Sequence, residues 1–144
     1  MRINMALYHQ GEGRNLDFGC GDRNLSKYIG NYTGIDKGDP LPEGEFETIY
    51  MLAVLEHIDY PIQHFLWFRD VLANGGQIVL TTPTRFGNFV HWLGSKVGLF
   101  GDNDGHVFIY NRKSIRELGE GIGMKLTHYK RFQFGMNQVA VLSC

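Results

Sequence analysis

Two glycines flanking a cysteine, Gly19-Cys20-Gly21, directly follow the stretch Asn15-Leu16-Asp17-Phe18, and a further acid, Asp36, stands fifteen positions beyond Gly21. A strand that runs into a glycine turn lets the backbone come close to a ligand, and free amides at the start of the next element favour anionic or hydroxyl-rich groups there. Asp36 closes the stretch Tyr32-Thr33-Gly34-Ile35, where a ribose diol could donate two hydrogen bonds to its carboxylate. This set suits a nucleoside-containing ligand. The dinucleotide fingerprint would need glycine at position 24, and Asn24 stands there, which disfavours a nicotinamide cofactor. His57 and His106 are equal candidates to take a proton near neutral pH, with Glu56 and Tyr110 behind them. The two cysteines, Cys20 and Cys144, indicate neither a disulfide framework nor a zinc site, so no metal is expected.

The elements that must position these residues are readable as alternating units. Asn15–Phe18 is a short strand, and 24–29 can form a helix with Leu25, Tyr28 and Ile29 facing inward. Strands are expected at 32–36 and 46–52, separated by a loop at Asp39-Pro40-Leu41-Pro42. Pro61 suits a helix start, and an apolar face from Ile62 to Leu72 persists until Asn74-Gly75-Gly76. A strand then covers 77–82. Ser114 and Glu117 have capping-box spacing for a helix ending at Gly121 or Gly123, and 125–134 and 138–143 read as two final strands. Strands alternating with helices predict a parallel α/β sheet, and the last two strands an antiparallel hairpin.

A chain of 144 residues at 43% hydrophobic builds one core and is read as a single domain, 1–144. The net charge is -1 and the basic residues look scattered along the chain, so no nucleic-acid partner is expected. No stretch approaches the ~20 apolar residues of a membrane span, and residues 1–10 lack a signal-peptide core, so a cytoplasmic protein with no membrane partner is expected. Residues 84–105 are too long for an ordinary connection and carry Phe86, Phe89, Trp92, Leu93, Leu99 and Phe100, which suggests a cap over a substrate.

The segment Leu16-Asp17-Phe18-Gly19-Cys20-Gly21-Asp22 resembles the first motif of class I S-adenosylmethionine-dependent methyltransferases, and Gly34-Ile35-Asp36 their second. Leu41–Glu47, Val54-Leu55-Glu56-His57-Ile58, Leu72–Val79 and His106 followed by Tyr110 and Ser114 are similar, in order, to later segments of the type-11-like group. The resemblance implies a Rossmann-like, doubly wound, mostly parallel sheet of family order 2-1-4-5-7-6 that binds S-adenosylmethionine and releases S-adenosylhomocysteine. It implies that Asp17 orients the methionine end, that Gly19, Cys20 and Gly21 pass beneath the cofactor, and that Asp36 holds the ribose hydroxyls. Lys37, Asp39 at the adenine edge, Leu52 and Leu55 complete the expected contacts. Methyl transfer to a small molecule is the expected activity, against the alternative of a cofactor-binding protein without catalysis.

Three features depart from the family pattern. Arg23 stands where a small residue is usual and must point away from the cofactor or contact its carboxylate. Only residues 37–45 separate Asp36 from the next strand, so the family's third strand and the helix before it are missing and one adenine wall is thin. Few residues precede the first strand, so a cap must come from elsewhere. The last two features together suggest a homodimer that buries both edges.

Overall fold

The computed structural model describes residues 1–96 and 108–144. One six-stranded sheet organises the chain, in the order β2-β1-β3-β4-β6-β5. Strands β1 (Asn15–Phe18), β2 (Tyr32–Ile35), β3 (Phe46–Leu52) and β4 (Leu72–Pro83) run parallel to one another, while β6 (Asn137–Ser143) runs antiparallel to both β4 and β5 (Lys125–Phe132). This is the Rossmann-like order expected after loss of one strand, with the terminal hairpin in place.

Period-two alternation sorts the strand residues between two faces. Ile49, Met51, Ile78, Leu80, Ala140 and Leu142 meet Phe65 and Phe68 of helix α2 (Pro61–Val71) and Ile115 of helix α4 (Arg112–Glu120) on one face. Tyr50, Val79, Val139 and Val141 point the other way, onto Ala6 of helix α1 (Arg2–Leu7) and onto Leu25 and Ile29. Among the described residues a six-residue helix and a single 3-10 turn pack on the second face, which makes it the thinner one. Helix α3 (Arg85–Lys96) follows β4 and accounts for the described part of the expected cap. Among the described residues no helix is long and apolar enough to cross a membrane.

Several boundaries differ from the sequence reading for local reasons. The helix expected over 24–29 is a 3-10 turn, Asn24–Lys27, and Tyr28 is exposed instead of inward. The chain leaves the turn at Tyr28, and Asn31 then enters the left-handed region at φ 47 to start β2. β4 begins at Leu72 because Leu72 pairs with Phe46, and Asn74-Gly75-Gly76 forms an irregularity within the strand instead of a break before it. Ser114 is not the N-cap of α4. Asn111 caps it, its side chain accepting from the Ser114 amide at 2.9 Å while the Ser114 hydroxyl accepts from the Asn111 amide at 2.8 Å, so the capping box lies three residues earlier. β5 stops at Phe132 since Gln133 and Phe134 take left-handed φ of 50 and 54 to turn the hairpin. The N-terminal residues expected to add no cover form α1, held by buried Ala6.

Phe68 carries much of the thicker face. It is fully buried, meets Phe18 edge-on at 5.0 Å and touches Phe65 and Trp67. Phe68→Ala is expected to cost about 3–5 kcal/mol through lost burial and the cavity left behind. Urea unfolding followed by fluorescence checks this; a loss under about 1 kcal/mol would mean that α2 does not anchor the sheet.

Candidate functional site

At the carboxyl end of β1 the chain turns through Gly19 and Gly21, with φ of 77 and 46, conformations that glycine adopts without the Cβ penalty of other residues. The amides of Gly19 and Cys20 both donate to the Ile35 carbonyl, at 2.8 and 3.1 Å, which ties the turn to the end of β2. The Gly21 amide donates to Asp36 Oδ2 at 3.0 Å, and the Lys37 amide to Asp36 Oδ1 at 2.8 Å. Each carboxylate oxygen keeps lone-pair capacity for a further donor; Asp36 is exposed and joined to the turn through Gly21, but is not itself among the residues lining the cavity beside it.

A cavity of about 620 Å³ opens beside this turn, lined by Asp17, Gly19, Cys20, Gly21 and Leu52 among the expected residues. Its remaining wall comes from Met1, Arg2 and Ile3 of the N-terminal segment, from Asp22, Asn24 and Leu25, and from Gln133 in the β5–β6 turn. The size falls within the roughly 300–1,000 Å³ of small-ligand sites. Asp17 is almost wholly buried and accepts a hydrogen bond from the Tyr32 hydroxyl at 2.9 Å. Burial raises its carboxyl above the usual range, the Tyr32 bond opposes that, and the Asp36 charge adds to it. A cationic group arriving in the cavity would therefore find a desolvated carboxylate to neutralise.

The other expected residues fall elsewhere. Leu55 is fully buried in the apolar core and lines no part of the cavity. Asp39 accepts from the Asp36 amide at 2.9 Å, so it closes the turn after β2, and Lys37 is exposed within that turn. His57 is exposed at the end of a 3-10 turn, Leu55–His57, and is not among the lining residues. His106 lies outside the described residues, as do Leu99 and Phe100. Arg23, at φ 54, caps the first 3-10 turn and does not line the cavity.

Arg2, Gln133 and Tyr32 were not singled out from sequence. Ile3, Ala6 and Leu7 have the i, i+3, i+4 spacing that could have announced α1 and hence Arg2. Gln133 and Tyr32 carry no local signal, because their roles arise from a hairpin turn and a neighbouring strand. Arg2 donates to Asn137 Oδ1 at 3.4 Å, which fastens α1 to the sheet beside the cavity.

Glu56 forms a second polar feature at the same end of the sheet. It is only 3% exposed, and its Oε2 has no hydrogen-bond partner; the Oγ1 atoms of Thr81 and Thr82 are likewise buried and unpartnered. Burial raises the Glu56 carboxyl above its usual range, opposed more weakly by its own backbone amide, the nearby Thr82 hydroxyl dipole and the charges of His57 and Arg2.

The parallel sheet with a glycine turn and acid at adjoining strand ends defines an α/β protein that binds a nucleoside-type ligand at the carboxyl edge. Residues 2–129 match the family described as a methyltransferase domain, and the chain belongs to that family. The resemblance to S-adenosylmethionine-dependent class I methyltransferases read from the sequence is thereby borne out. Among solved structures, a possible histamine N-methyltransferase from Thermotoga maritima superposes with TM-score 0.69 at 12% identity, over 99% of this chain and 86% of that one. Magnesium protoporphyrin IX methyltransferase from Synechocystis, crystallised with S-adenosylhomocysteine, superposes with TM-score 0.61 at 12% identity, over 98% and 79%. A tRNA U34 carboxymethyltransferase from Shewanella loihica is 43% identical over 49 residues, which is 34% of this chain and only 14% of that protein.

Two predictions follow from this geometry. A Cβ on Gly19 would lie 2.5 Å from Val54 Cγ2, whereas one on Gly21 would meet nothing within 4 Å. Gly19→Ala should therefore destabilise by about 1–3 kcal/mol more than Gly21→Ala, and Val54→Ala should restore part of the loss; equal effects in thermal melts would remove the steric account. For Glu56, a carboxyl raised in the folded state contributes stability below its unfolded pKa that is lost as pH rises through the folded value. Glu56→Gln, whose amide can donate to the orphan threonine oxygens, should raise Tm at pH 7 and lose that advantage near pH 4 and below. A Tm gain independent of pH would assign the effect to packing instead.

Proposed function

We propose that this chain binds S-adenosylmethionine in the cavity beside the Gly19–Gly21 turn and transfers its methyl group to a small organic acceptor. The observation that carries this reading is the convergence of a buried carboxylate, a glycine turn, an apolar residue and a guanidinium on one cavity: Asp17, Gly19–Gly21, Leu52 and Arg2. The donor set suits the ligand. Asp17 complements an ammonium, Arg2 complements a carboxylate, and the free oxygen lone pairs of Asp36 suit a diol. Arg2 thus takes the role that the sequence left open for Arg23.

When bound, the cofactor supplies an electrophilic methyl group on a sulfonium that leaves without needing a proton. The protein's part is then alignment and exclusion of water. The amide ties of Gly19 and Cys20 to Ile35 hold the turn beneath the ligand, Leu52 offers an apolar wall, and Met1 to Ile3 at the start of α1 add to the lining. The acceptor approaches on the side of Arg2 and Gln133. A proton acceptor is needed only where the acceptor atom must lose a proton early; His57 and Glu56 follow β3 but line no part of the cavity, so the transfer is proposed to run without them.

The test is calorimetric titration with S-adenosylmethionine and S-adenosylhomocysteine, with NADH as control. Saturable binding of the sulfur ligands alone is expected, weakened about 10- to 100-fold in Asp36→Ala and in Arg2→Ala, since each removes hydrogen bonds to or from a charged group. A folded protein that binds neither sulfur ligand would overturn the proposal. Binding without product across a panel of acceptors would favour a cofactor-binding protein without catalysis.

A further inference from the structure

Charge is divided between the two halves of the chain. Residues 1–70 hold eleven acids against six basic residues, while 71–144 hold eight basic residues against four acids. Of those four acids, Glu117 and Glu120 pair with Lys113 and Arg116 along α4, Asp102 and Asp104 lie outside the described residues, and the segments 83–96, 108–116 and 121–144 contain none. What looks scattered along the sequence is gathered by the fold, because these segments build the β4-β6-β5 side of the sheet.

Three parts of that side meet at the carboxyl end of β4. Thr84 Oγ1 donates to the Gly135 carbonyl at 2.6 Å, joining the start of α3 to the β5–β6 turn. Gln138 Nε2 donates to the carbonyls of Pro83 and Tyr110, at 3.3 and 2.7 Å, which brings residues 108–110 to the same place. Each part presents an apolar side chain to solvent: Phe86 and Leu93 on α3, Phe108 and Ile109, and Phe134, which is 97% exposed. Phe86 and Leu93 are two turns apart and share a helix face. Exposed arginines rim the patch. Arg85 opens α3, Arg112 lies 5.6 Å over the Tyr129 ring, and Arg131 donates to the Tyr129 hydroxyl at 3.4 Å.

We infer that this arginine-rimmed apolar face, built from α3, residues 108–109 and the β5–β6 turn, docks on an anionic lipid surface. An apolar face ringed by basic residues is what binds at a headgroup boundary. A nucleic acid would use only the rings of Phe86, Phe108 and Phe134, whereas a lipid surface also takes up the aliphatic Leu93 and Ile109. A second copy is also the poorer fit, because a two-fold contact through this face would bring like-charged arginine rims together. Phe134 follows Gln133, a residue of the cavity wall, so the surface that would meet lipid borders the proposed catalytic cavity. Resting on the methyl-transfer reading, this names the acceptor class as an amphiphile whose small polar head enters the cavity from the lipid surface. It replaces the expectation that the chain has no membrane partner, and concerns contact with a membrane, not passage through it.

The test is flotation of the full chain with phosphatidylcholine vesicles, with and without phosphatidylglycerol, alongside cofactor titration of each variant. The wild type should float with the anionic vesicles only and be released by high salt. Arg85→Glu, Arg112→Glu and Arg131→Glu should each weaken partition about fivefold or more. Phe86→Ser with Leu93→Ser should weaken it about tenfold or more, all four variants keeping their fold and cofactor affinity. A folded wild type that stays with the soluble fraction would overturn the inference. So would a dimer in sedimentation that the apolar pair of substitutions dissolves, or displacement from vesicles by an RNA oligonucleotide. Vesicle binding without cofactor binding would keep the surface and remove the methyl-transfer reading; cofactor binding without vesicle binding would do the reverse.

Discussion

The amides of Gly19 and Cys20 converge on one acceptor, the carbonyl of Ile35, and the geometry of the site follows from that junction. A parallel pair of strands offers no hairpin to hold its ends together, so the chain must tie them directly. Once β1 and β2 are joined there, Gly21 can donate to Asp36, Tyr32 can reach across to Asp17, and the cavity has a fixed floor. The tie also explains why the two glycines differ. Gly19 is pressed against Val54 and its place is set by packing, whereas Gly21 faces open space and its place is set by backbone conformation alone.

The parallel α/β sheet and its closing hairpin were legible in the sequence because alternation, glycine turns and a proline helix start all agree with one fold, while the strand order came from the resemblance to the methyltransferase family. Boundaries were less legible where tertiary pairing overrides local pattern. Leu72 joins β4 since Phe46 is there to pair with it, and the residues after Arg23 form only a 3-10 turn since the thin second face demands no longer helix. Asp17, Gly19, Cys20, Gly21 and Leu52 could be read because they sit within or beside strand-end motifs. Arg2 and Gln133 could not, because they are brought to the cavity by α1 and by the β5–β6 turn, from opposite ends of the chain.

Polar groups inside the sheet's carboxyl end are handled in two contrasting ways. Gln138 is buried but satisfied: its Oε1 accepts from Tyr129 at 2.6 Å, and its amide donates to Tyr110 and Pro83. One side chain thereby fastens β4, β5, β6 and the segment before α4. Glu56, a few residues beyond the buried part of β3, is left with an oxygen unmatched, which a structure retains at a cost in stability. Gln138 thus serves architecture, whereas Glu56, with the unpartnered hydroxyls of Thr81 and Thr82, holds unmatched polar atoms at the carboxyl end of the sheet.

The nine residues from 37 to 45 bridge β2 and β3 with little beyond the Asp36–Asp39 turn to hold them, and all but Pro42 are exposed. Register on either side is carried by pairing with β1. Chain length can therefore change within this bridge at only the slow logarithmic price of a longer loop. It is the position at which a reporter peptide or an additional strand-and-helix unit could be spliced in while the two flanking strands keep their partners.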